Sequence, residues 1–329
     1  MTRRDTVPNY DGERQIVGTT EVTHHFQEAP GAVAPIRWHY VTAGNPHAEP
    51  IVFLHGNPES WRAWEPQIDH FAKTHHVIAV DLKGYGQSDK SPGDWRWENC
   101  AAELLALLDQ LGLRTFAIVS HDRGTVLADY LGGNHPDRVH CYVRMQQVCH
   151  VWRPEYSWQA EYFADPLFGP YLFGDPDVYF DFRLKAMLKN EVDEHRLETL
   201  RYEMSYPGIA DAVVRYYQAS SFEKERIDRV RLFPHMNFPV LLLQGNRDDG
   251  QPTYYFDHPK LPATLCFPSA ELQWVDGAGH YTNLEKPEIV TEAVANFLAT
   301  HQTPTPGRSG MPWGGTNSDG TGRQHAHVV

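Results

Sequence analysis

One aspartate at a sharp bend is the first residue of this sequence whose position suggests chemistry. In "TFAIVSHDRGTVLADYL", residues 115–131, an apolar run ends at Ser120 and a helical pattern follows Gly124. A tight strand-to-helix turn needs small residues two positions before and two positions after the side chain that it exposes. Ser120 and Gly124 meet this need around Asp122, whereas a turn centred on Ser120 would be flanked by Ile118 and Asp122. The pattern favours Asp122 as a nucleophile, although the same residues also suit a plain helix cap.

The partners that such a nucleophile needs follow two later apolar runs. Asp248, with Asp249 as its neighbour, lies in "GNRDDGQP" after "VLLLQ", and His280 lies in "GAGHYTN" after the last strand-like run. A carboxylate is already anionic at neutral pH, and a histidine oriented by a second carboxylate can activate water. Residues just past the carboxyl ends of parallel strands meet in one crevice. We therefore predict that Asp122, Asp248 and His280 act as nucleophile, acid and base.

Strand-like and helical segments alternate along the chain, which predicts an α/β fold with a mostly parallel central sheet. Continuous apolar runs such as "PIVFLHG" and "FPVLLLQG" are typical of strands that helices cover on both faces. The alternation stops in residues 151–233, where the sequence is aromatic, charged and helical in pattern. We predict a helical cap there, inserted into a core of residues 1–150 and 234–301. Residues 302–329 are rich in Gly, Pro, Ser and Thr, and this composition predicts a disordered tail.

Composition argues against several classes of partner. A net charge of −13 argues against binding to nucleic acid or to anionic membranes. No apolar run approaches the roughly 20 residues of a membrane span, and no apolar stretch follows the charged N-terminus. We therefore expect a cytoplasmic enzyme. The four cysteines are scattered and the histidine pairs fit no zinc spacing, so we predict no metal site. The chemistry of Asp122, Asp248 and His280 requires no organic cofactor, and we predict none. The oligomeric state is not predictable.

Several motifs together carry a family resemblance: "FLHGNPESWRAWEPQI", "AVDLKGYGQSDK", "SHDRG", "GNRDDGQP" and "GAGHYTNLEKPE". Over residues 20–300 the chain resembles the aspartate-nucleophile branch of the α/β-hydrolase superfamily, which contains epoxide hydrolases and haloalkane dehalogenases. The resemblance implies an α/β-hydrolase fold with an inserted helical cap, and a covalent ester on Asp122. It also implies that the backbone N–H groups of Asn57 and Arg123 hold an oxyanion. We expect His55 to shape this oxyanion loop.

The motifs divide between the two activities, which differ in the leaving group. "YPGIADAVVRYYQASSF" resembles the cap segment of epoxide hydrolases, and this match places Tyr217 on the acid tyrosine, with Tyr216 beside it. A second tyrosine is expected near the start of the cap, where "YSWQAEYFADP" could put either Trp158 or Tyr162 at the position, with Tyr156 as a third candidate. If Trp158 is the equivalent, one acid is lost and an indole N–H donor is gained. Asn57 resembles the halide-binding form of its motif, and an indole N–H of Trp158 would also suit a halide.

Arg123 is a departure from both activities, which usually have tryptophan after the nucleophile. "HDRG" resembles fluoroacetate dehalogenases, in which a second arginine three residues later completes a carboxylate clamp. Val126 occupies that position here, so the clamp would be incomplete. Two roles stay open for Arg123: an ion pair within the cap, or contact with a polar substrate group.

These observations favour an epoxide hydrolase, with a haloalkane dehalogenase as the alternative. A binding protein with this fold and little turnover is the second alternative, although a pure binder would not need Asp122, Asp248 and His280 together. Segments such as "FGPYLFGDPDVYFDF" make the predicted cap rich in aromatic residues. They predict a small-molecule substrate of apolar or aromatic character.

Overall fold

A nine-stranded sheet forms the centre of the molecule in the structure, a computed structural model that describes residues 10–147, 150, 158–219 and 222–301. The strands are β1 (Arg14–Val17), β2 (Thr20–Ala29), β3 (Ile36–Ala43), β4 (Pro50–Leu54), β5 (His76–Val80), β6 (Phe116–His121), β7 (Val139–Met145), β8 (Val240–Gly245) and β9 (Ala270–Val275). Their order across the sheet is β1-β2-β3-β5-β4-β6-β7-β8-β9. Pairs from β1 to β5 along this order are antiparallel, and the pairs from β5 to β9 are parallel. The prediction of a mostly parallel sheet is confirmed.

Helices cover both faces of this sheet. They are α1 (Glu65–Phe71), α2 (Trp97–Gln110), α3 (Asp122–Asn134), α11 (Thr282–Glu285) and α12 (Pro287–Thr300). Alternate residues of β4 point to opposite faces, as the strand geometry requires: Val52 and Leu54 join the core beneath α2 and α3, while Ile51 and Phe53 join the core beneath α1 and α12. Burial on both faces explains why these strands are continuous apolar runs.

A helical insertion connects β7 to β8, and its described part spans residues 158–219 and 222–232. Its helices are α4 (Trp158–Ala164), α5 (Phe168–Gly174), α6 (Pro176–Tyr179), a π-helical turn (Phe180–Leu184), α7 (Lys185–Met187), α8 (Glu194–Met204), α9 (Ile209–Ala219) and α10 (Phe222–Leu232). The described residues of this insertion contain no strand, in agreement with the predicted helical pattern. The predicted boundaries of core and cap stay predictions, and the predicted tail, 302–329, lies outside the described residues.

In the part of the chain that the structure describes, each helix is too short or too polar to cross a lipid bilayer.

Candidate active site

Asp122 occupies the turn between β6 and α3. Its backbone has a φ of 43°, in the left-handed region that non-glycine residues rarely adopt. A Cβ atom added at Gly124 would lie 2.4 Å from the carbonyl oxygen of Leu54, so the turn requires a residue without a side chain there. Ser120 is fully buried, and its hydroxyl bonds to Thr125 at 2.9 Å. Asp122, and not Ser120, is therefore the side chain that the turn presents to the cavity.

The three predicted catalytic side chains lie in contact. His280 Nδ1 donates to Asp248 Oδ2 at 2.8 Å, and His280 Nε2 lies 3.6 Å from Asp122 Oδ1. Asp249 does not join them, because its side chain is 84% exposed and pairs with Lys189 at 2.6 Å. Of the two neighbouring aspartates, only Asp248 reaches the histidine.

Neighbouring charges set the protonation states of Asp122 and His280. Burial raises the pKa of Asp122, but the hydrogen bond from His280 and the charge of Arg123 outweigh burial and hold that pKa far below its usual range. Burial lowers the pKa of His280, but Asp248 and Asp122 outweigh burial and raise the pKa to about 10. At neutral pH the resting site therefore holds an anionic Asp122 beside a protonated imidazole.

Two amide groups contact the carboxylate of Asp122 from the cavity side. The backbone N–H of Asn57 donates to Asp122 Oδ2 at 3.1 Å, which places this donor where the oxyanion loop was expected. Gln147 Nε2 donates to Asp122 Oδ1 at 2.9 Å, a contact that the sequence did not predict. The oxyanion role of the Arg123 backbone N–H stays a prediction.

His55 connects two loops beneath the site. Its Nδ1 donates to the carbonyl of Gly56 at 2.8 Å, and its Nε2 accepts from the backbone N–H of Leu82 at 3.0 Å. Burial lowers the pKa of His55, so the ring is neutral and can fill both roles. These contacts fit the expected structural role of His55.

The adjacent tyrosines of α9 point in different directions, because successive residues of a helix are about 100° apart. Tyr217 lines the cavity, and its hydroxyl accepts from Arg123 Nε at 3.2 Å. Tyr216 instead stacks on Trp97, with ring centroids 4.4 Å apart, and donates to the carbonyl of Lys83 at 2.8 Å. The expectation that Tyr216 contacts substrate is therefore wrong for this structure, in which it packs the helical insertion against the core.

Among the three candidates at the start of the cap, only Tyr162 is contradicted by the structure. Tyr162 is 51% exposed and its ring contacts Phe168, outside the cavity. Its neighbour Phe163 faces the cavity instead, so the helical register of α4 turns Tyr162 to the surface. The other two candidates are not placed by the structure: Tyr156 and the side chain of Trp158 lie outside the described residues.

Tyr179, on α6, is a second cavity tyrosine that the sequence did not predict. Its hydroxyl accepts from Asn57 Nδ2 at 3.0 Å, and the Asn57 side-chain oxygen accepts from Tyr85 at 3.2 Å. The spacing of Tyr179, Arg183 and Met187, four residues apart, is the one signal in the sequence that could have placed them on a common helix face. All three line the cavity.

Arg123 is buried between the core and the helical insertion. Its guanidinium lies over the ring of Tyr217, 4.7 Å from the centroid, and its Nη1 lies 3.6 Å from Oε2 of Glu225 on α10. The ion pair with the insertion, one of the two roles left open above, is therefore present. Arg123 also lines the cavity, so contact with a substrate group is sterically open to it.

The cavity itself has a volume of about 90 Å3 and is lined by both the core and the insertion. Its lining includes the charged residues Asp122, Arg123, Arg183, Glu225 and Arg226. Within the described ranges, no three His, Cys, Asp or Glu side chains are grouped in a way that could hold a metal ion.

The chain is similar to a known protein family and to several named proteins. The family described as alpha/beta hydrolase fold matches residues 49–287. "Epoxide hydrolase 3" of Xenopus tropicalis is 36% identical over 287 residues, which cover 80% of this chain and 75% of that protein. "Haloalkane dehalogenase" of Mesorhizobium japonicum is 26% identical over 284 residues, covering 79% of this chain and 87% of that protein. Among solved structures, the epoxide hydrolase CorEH superposes with a TM-score of 0.72 at 23% identity, covering 85% and 99% of the two chains.

Proposed function

The chain belongs to the alpha/beta hydrolase fold family, and on this premise we propose that it is a hydrolase that opens epoxides through an ester on Asp122. The observation that carries this proposal is the position of Tyr217. Its hydroxyl lines the same cavity as Asp122 and accepts a hydrogen bond from Arg123, and a tyrosine hydroxyl at this position can act as a general acid for a leaving alkoxide. The similarity to proteins named epoxide hydrolases supports the same activity.

Ring opening uses the charges of the resting site. A carboxylate oxygen of Asp122 attacks an epoxide carbon, the carbon–oxygen bond of the ring breaks, and the alkoxide takes the proton of Tyr217. Burial raises the pKa of Tyr217, while the charge and hydrogen bond of Arg123 lower it and stabilise the tyrosinate that forms. The imidazolium of His280 then returns a proton to Tyr217 through solvent, which leaves His280 neutral.

Ester hydrolysis uses the neutral histidine. His280 takes a proton from water, and the resulting hydroxide attacks the carbonyl carbon of the Asp122 ester. The backbone N–H of Asn57, already 3.1 Å from Asp122 Oδ2, holds the tetrahedral oxyanion. Collapse of this intermediate breaks the ester, and the departing diol oxygen takes a proton from His280. Loss of one such oxyanion donor typically reduces the rate by about 10²–10³.

Dehalogenation is the second candidate, supported by the relative named haloalkane dehalogenase. A halide leaves without a proton and needs N–H donors that face the cavity. Asn57 Nδ2 donates to the hydroxyl of Tyr179 at 3.0 Å, which uses one of the two N–H donors of this amide. A halide could therefore receive at most the second N–H of Asn57 while this bond is kept.

A mass measurement separates these activities. His280→Gln removes the base, so the Asp122 ester should form and accumulate on exposure to substrate. A gain equal to the whole epoxide mass supports epoxide opening, whereas a gain equal to an alkyl halide less its hydrogen halide supports dehalogenation. The double variant Asp122→Ala/His280→Gln is the control and should gain no mass. Adducts that persist in this control, or none with either class of substrate, would count against an ester on Asp122.

A further inference from the structure

The two oxygens of the Asp122 carboxylate have different neighbours. Oδ2 accepts from the backbone N–H of Asn57 at 3.1 Å. Oδ1 accepts from Gln147 Nε2 at 2.9 Å and lies 3.6 Å from His280 Nε2. Among these contacts, the amide of Gln147 is the donor nearest to Oδ1. The two oxygens are therefore not equivalent before any substrate binds.

Asn57 holds its backbone N–H in a fixed position. Its carbonyl oxygen accepts from the hydroxyl of Tyr281 at 3.2 Å. Its side chain bonds to Tyr85 at 3.2 Å and to Tyr179 at 3.0 Å. A fixed backbone donor suits the oxygen that stays on Asp122 as the carbonyl of an ester and becomes the oxyanion. In the proposed function Oδ2 is therefore the carbonyl oxygen, and Oδ1 is the oxygen that attacks the substrate.

Gln146 anchors the segment that carries the donor to Oδ1. Its backbone has a φ of 48°, in the left-handed region that non-glycine residues rarely adopt. Its N–H donates to the side-chain oxygen of Gln244 at 2.8 Å, and its Oε1 accepts from the N–H of Gly245 at 2.6 Å. Its Nε2 donates to Asp248 Oδ2 at 2.8 Å, and its carbonyl oxygen accepts from Gln251 at 2.6 Å. These bonds stabilise the unusual backbone conformation.

Two consecutive side chains contact the site after this left-handed residue. Successive side chains of an extended strand point to opposite faces, but Gln146 donates to Asp248 and Gln147 donates to Asp122. The carbonyl oxygen of Gln147 accepts from Arg144, which is buried. Both the backbone and the side chain of Gln147 are thus fixed by hydrogen bonds next to Oδ1 of Asp122.

A donor to Oδ1 has opposite effects on the two proposed steps. Negative charge on Oδ1 disappears as this oxygen bonds to the substrate carbon, so a hydrogen bond from Gln147 stabilises the reactant and slows ester formation. In ester hydrolysis hydroxide bonds to the ester carbonyl carbon, the electron pair moves to Oδ2, and collapse breaks the bond between this carbon and Oδ1. Negative charge returns to Oδ1 as it leaves with the product and takes a proton from His280. The same hydrogen bond is then stronger in the transition state and accelerates the step.

We propose that Gln147 is a further catalytic residue, which donates to Oδ1 of Asp122 as this oxygen leaves and so accelerates ester hydrolysis while slowing ester formation. The proposal rests on the proposed function for the ester on Asp122, but not for the kind of group that leaves when the ester forms. Gln147 lines the same cavity as His280, so the departing oxygen meets a fixed amide donor beside the histidine that returns its proton.

Gln147→Met tests this role, because methionine keeps the length of the side chain and has no N–H donor. The protein is mixed with excess epoxide and quenched at short times, and intact mass gives the fraction present as ester. The variant should hydrolyse the ester about 10–100-fold more slowly than the unmodified protein. It should form the ester at least as fast, so that the ester accumulates. A merely structural role of Gln147 in placing Asp122 would slow formation as well.

Gln27→Met is the matched control. It makes the same substitution at a partly buried glutamine of β2, which donates to the carbonyl oxygen of Glu28 at 3.0 Å and lies outside the cavity lining. This variant should keep both rates. Equal slowing of the two steps in Gln147→Met, or an unchanged rate of ester hydrolysis, would overturn the proposal.

The same measurement with alkyl halides separates this proposal from the proposed function, because the charge on Oδ1 changes in the same way in any ester on Asp122. Esters from epoxides, with both steps slowed equally in Gln147→Met, would refute the role of Gln147 and leave epoxide hydrolysis in place. Esters from alkyl halides alone, with slower hydrolysis in Gln147→Met, would refute epoxide hydrolysis and leave the role of Gln147 in place. No ester from either class of substrate would refute both.

Discussion

Asp122→Asn should change the acidity of His280, a residue that the substitution leaves in place. Burial lowers the pKa of His280, but Asp248 and Asp122 outweigh burial and raise the pKa to about 10, so the imidazole is protonated at neutral pH. A protonated imidazole cannot take a proton from water. The proposed second step therefore requires that the pKa of His280 falls once the charge of Asp122 has been lost to the ester.

The distance between the two groups gives the size of this fall. Opposite unit charges at the observed separation of 3.6 Å, between His280 Nε2 and Asp122 Oδ1, interact by about 4–5 kcal/mol at an effective dielectric constant of roughly 20. Since about 1.4 kcal/mol corresponds to a tenfold change in proton binding, neutralising Asp122 weakens proton binding to His280 by roughly 10³-fold. The pKa then returns towards its ordinary value of 6.5, and the histidine becomes a base after the ester has formed.

An NMR titration measures this effect directly. Protein with isotope-labelled histidine is titrated through the neutral and alkaline range, and the His280 signal is assigned as the one missing from His280→Gln. Intact mass shows that the amide introduced by Asp122→Asn has not hydrolysed. Asp249→Asn is the control, because it removes a carboxylate that pairs with Lys189 and does not contact His280. If His280 titrates near 6.5 in the unmodified protein, or if Asp122→Asn leaves its titration unchanged, the coupling proposed here is refuted.

Three further changes test the site and its support. Tyr217→Phe should slow epoxide opening by about 10²-fold or more in single-turnover kinetics. Tyr216→Phe is the control: it should keep the rate and lose about 1 kcal/mol of stability with its hydrogen bond to the Lys83 carbonyl. Equal rate losses in the two variants would contradict the proposed role of Tyr217. Gly124→Ala should lower the free energy of unfolding, measured by denaturant titration, by about 1–3 kcal/mol or more. The reason is that the new Cβ would lie 2.4 Å from the carbonyl oxygen of Leu54. Gly174→Ala is the control and should be tolerated, because the nearest atom to its Cβ is 4.0 Å away. Because the pKa of His280 is raised in the folded chain, protonated His280 stabilises the fold fully below pH 6.5, and this stabilisation should disappear as pH rises through about 10. Chemical denaturation at a series of pH values should show this decrease in the free energy of unfolding for the unmodified protein and not for His280→Gln.

The positions of Asp122 and His280 were predictable because local backbone geometry constrains them. Asp122 requires a small residue two positions later, and Gly124 satisfies this against the carbonyl oxygens of Leu54 and His55. The continuous apolar runs before Asp122 and Asp248 identify the buried strands β6 and β8, and an alternating pattern before His280 identifies the part-buried strand β9. The carboxyl ends of these parallel strands lie at one edge of the sheet. The few residues around the turn and at the ends of these strands are therefore enough to predict where Asp122, Asp248 and His280 lie.

The helical insertion was less predictable because side-chain direction there depends on helical register and packing. Tyr162 and Phe163 are neighbours in α4, yet Phe163 packs against Tyr217 with ring centroids 4.9 Å apart while Tyr162 faces solvent. Tyr179 carries no motif, and its position in the cavity lining and its contact with Asn57 are visible only in the structure. Gln147 follows β7 in an irregular segment, where no periodic pattern indicates that its amide reaches Asp122.

Arg123 shows how the insertion and the core position one another. It contacts Glu225 of α10, Glu225 contacts Arg229, and Arg229 returns to the core by donating to Asp129 Oδ2 at 2.9 Å and 2.7 Å. Asp129 also accepts from Arg144 at the end of β7. Arg123, Glu225, Arg229, Asp129 and Arg144 are buried, and their charges alternate from the neighbourhood of Tyr217 to the last residues of β7.

Arg144 extends this alternating chain of charges back to Asp122. It donates to the carbonyl oxygen of Gln147, whose side chain donates to Asp122 at 2.9 Å. Buried ion pairs contribute little net stability relative to well-packed apolar residues, because removing the charges from water is costly. Their directional bonds do fix the positions of the groups that they join. Arg123 occupies the position where related hydrolases usually have tryptophan. Through Arg123, the placement of Tyr217 depends on Glu225, a residue of the insertion. The same contacts join the proposed acid and the proposed nucleophile in one network.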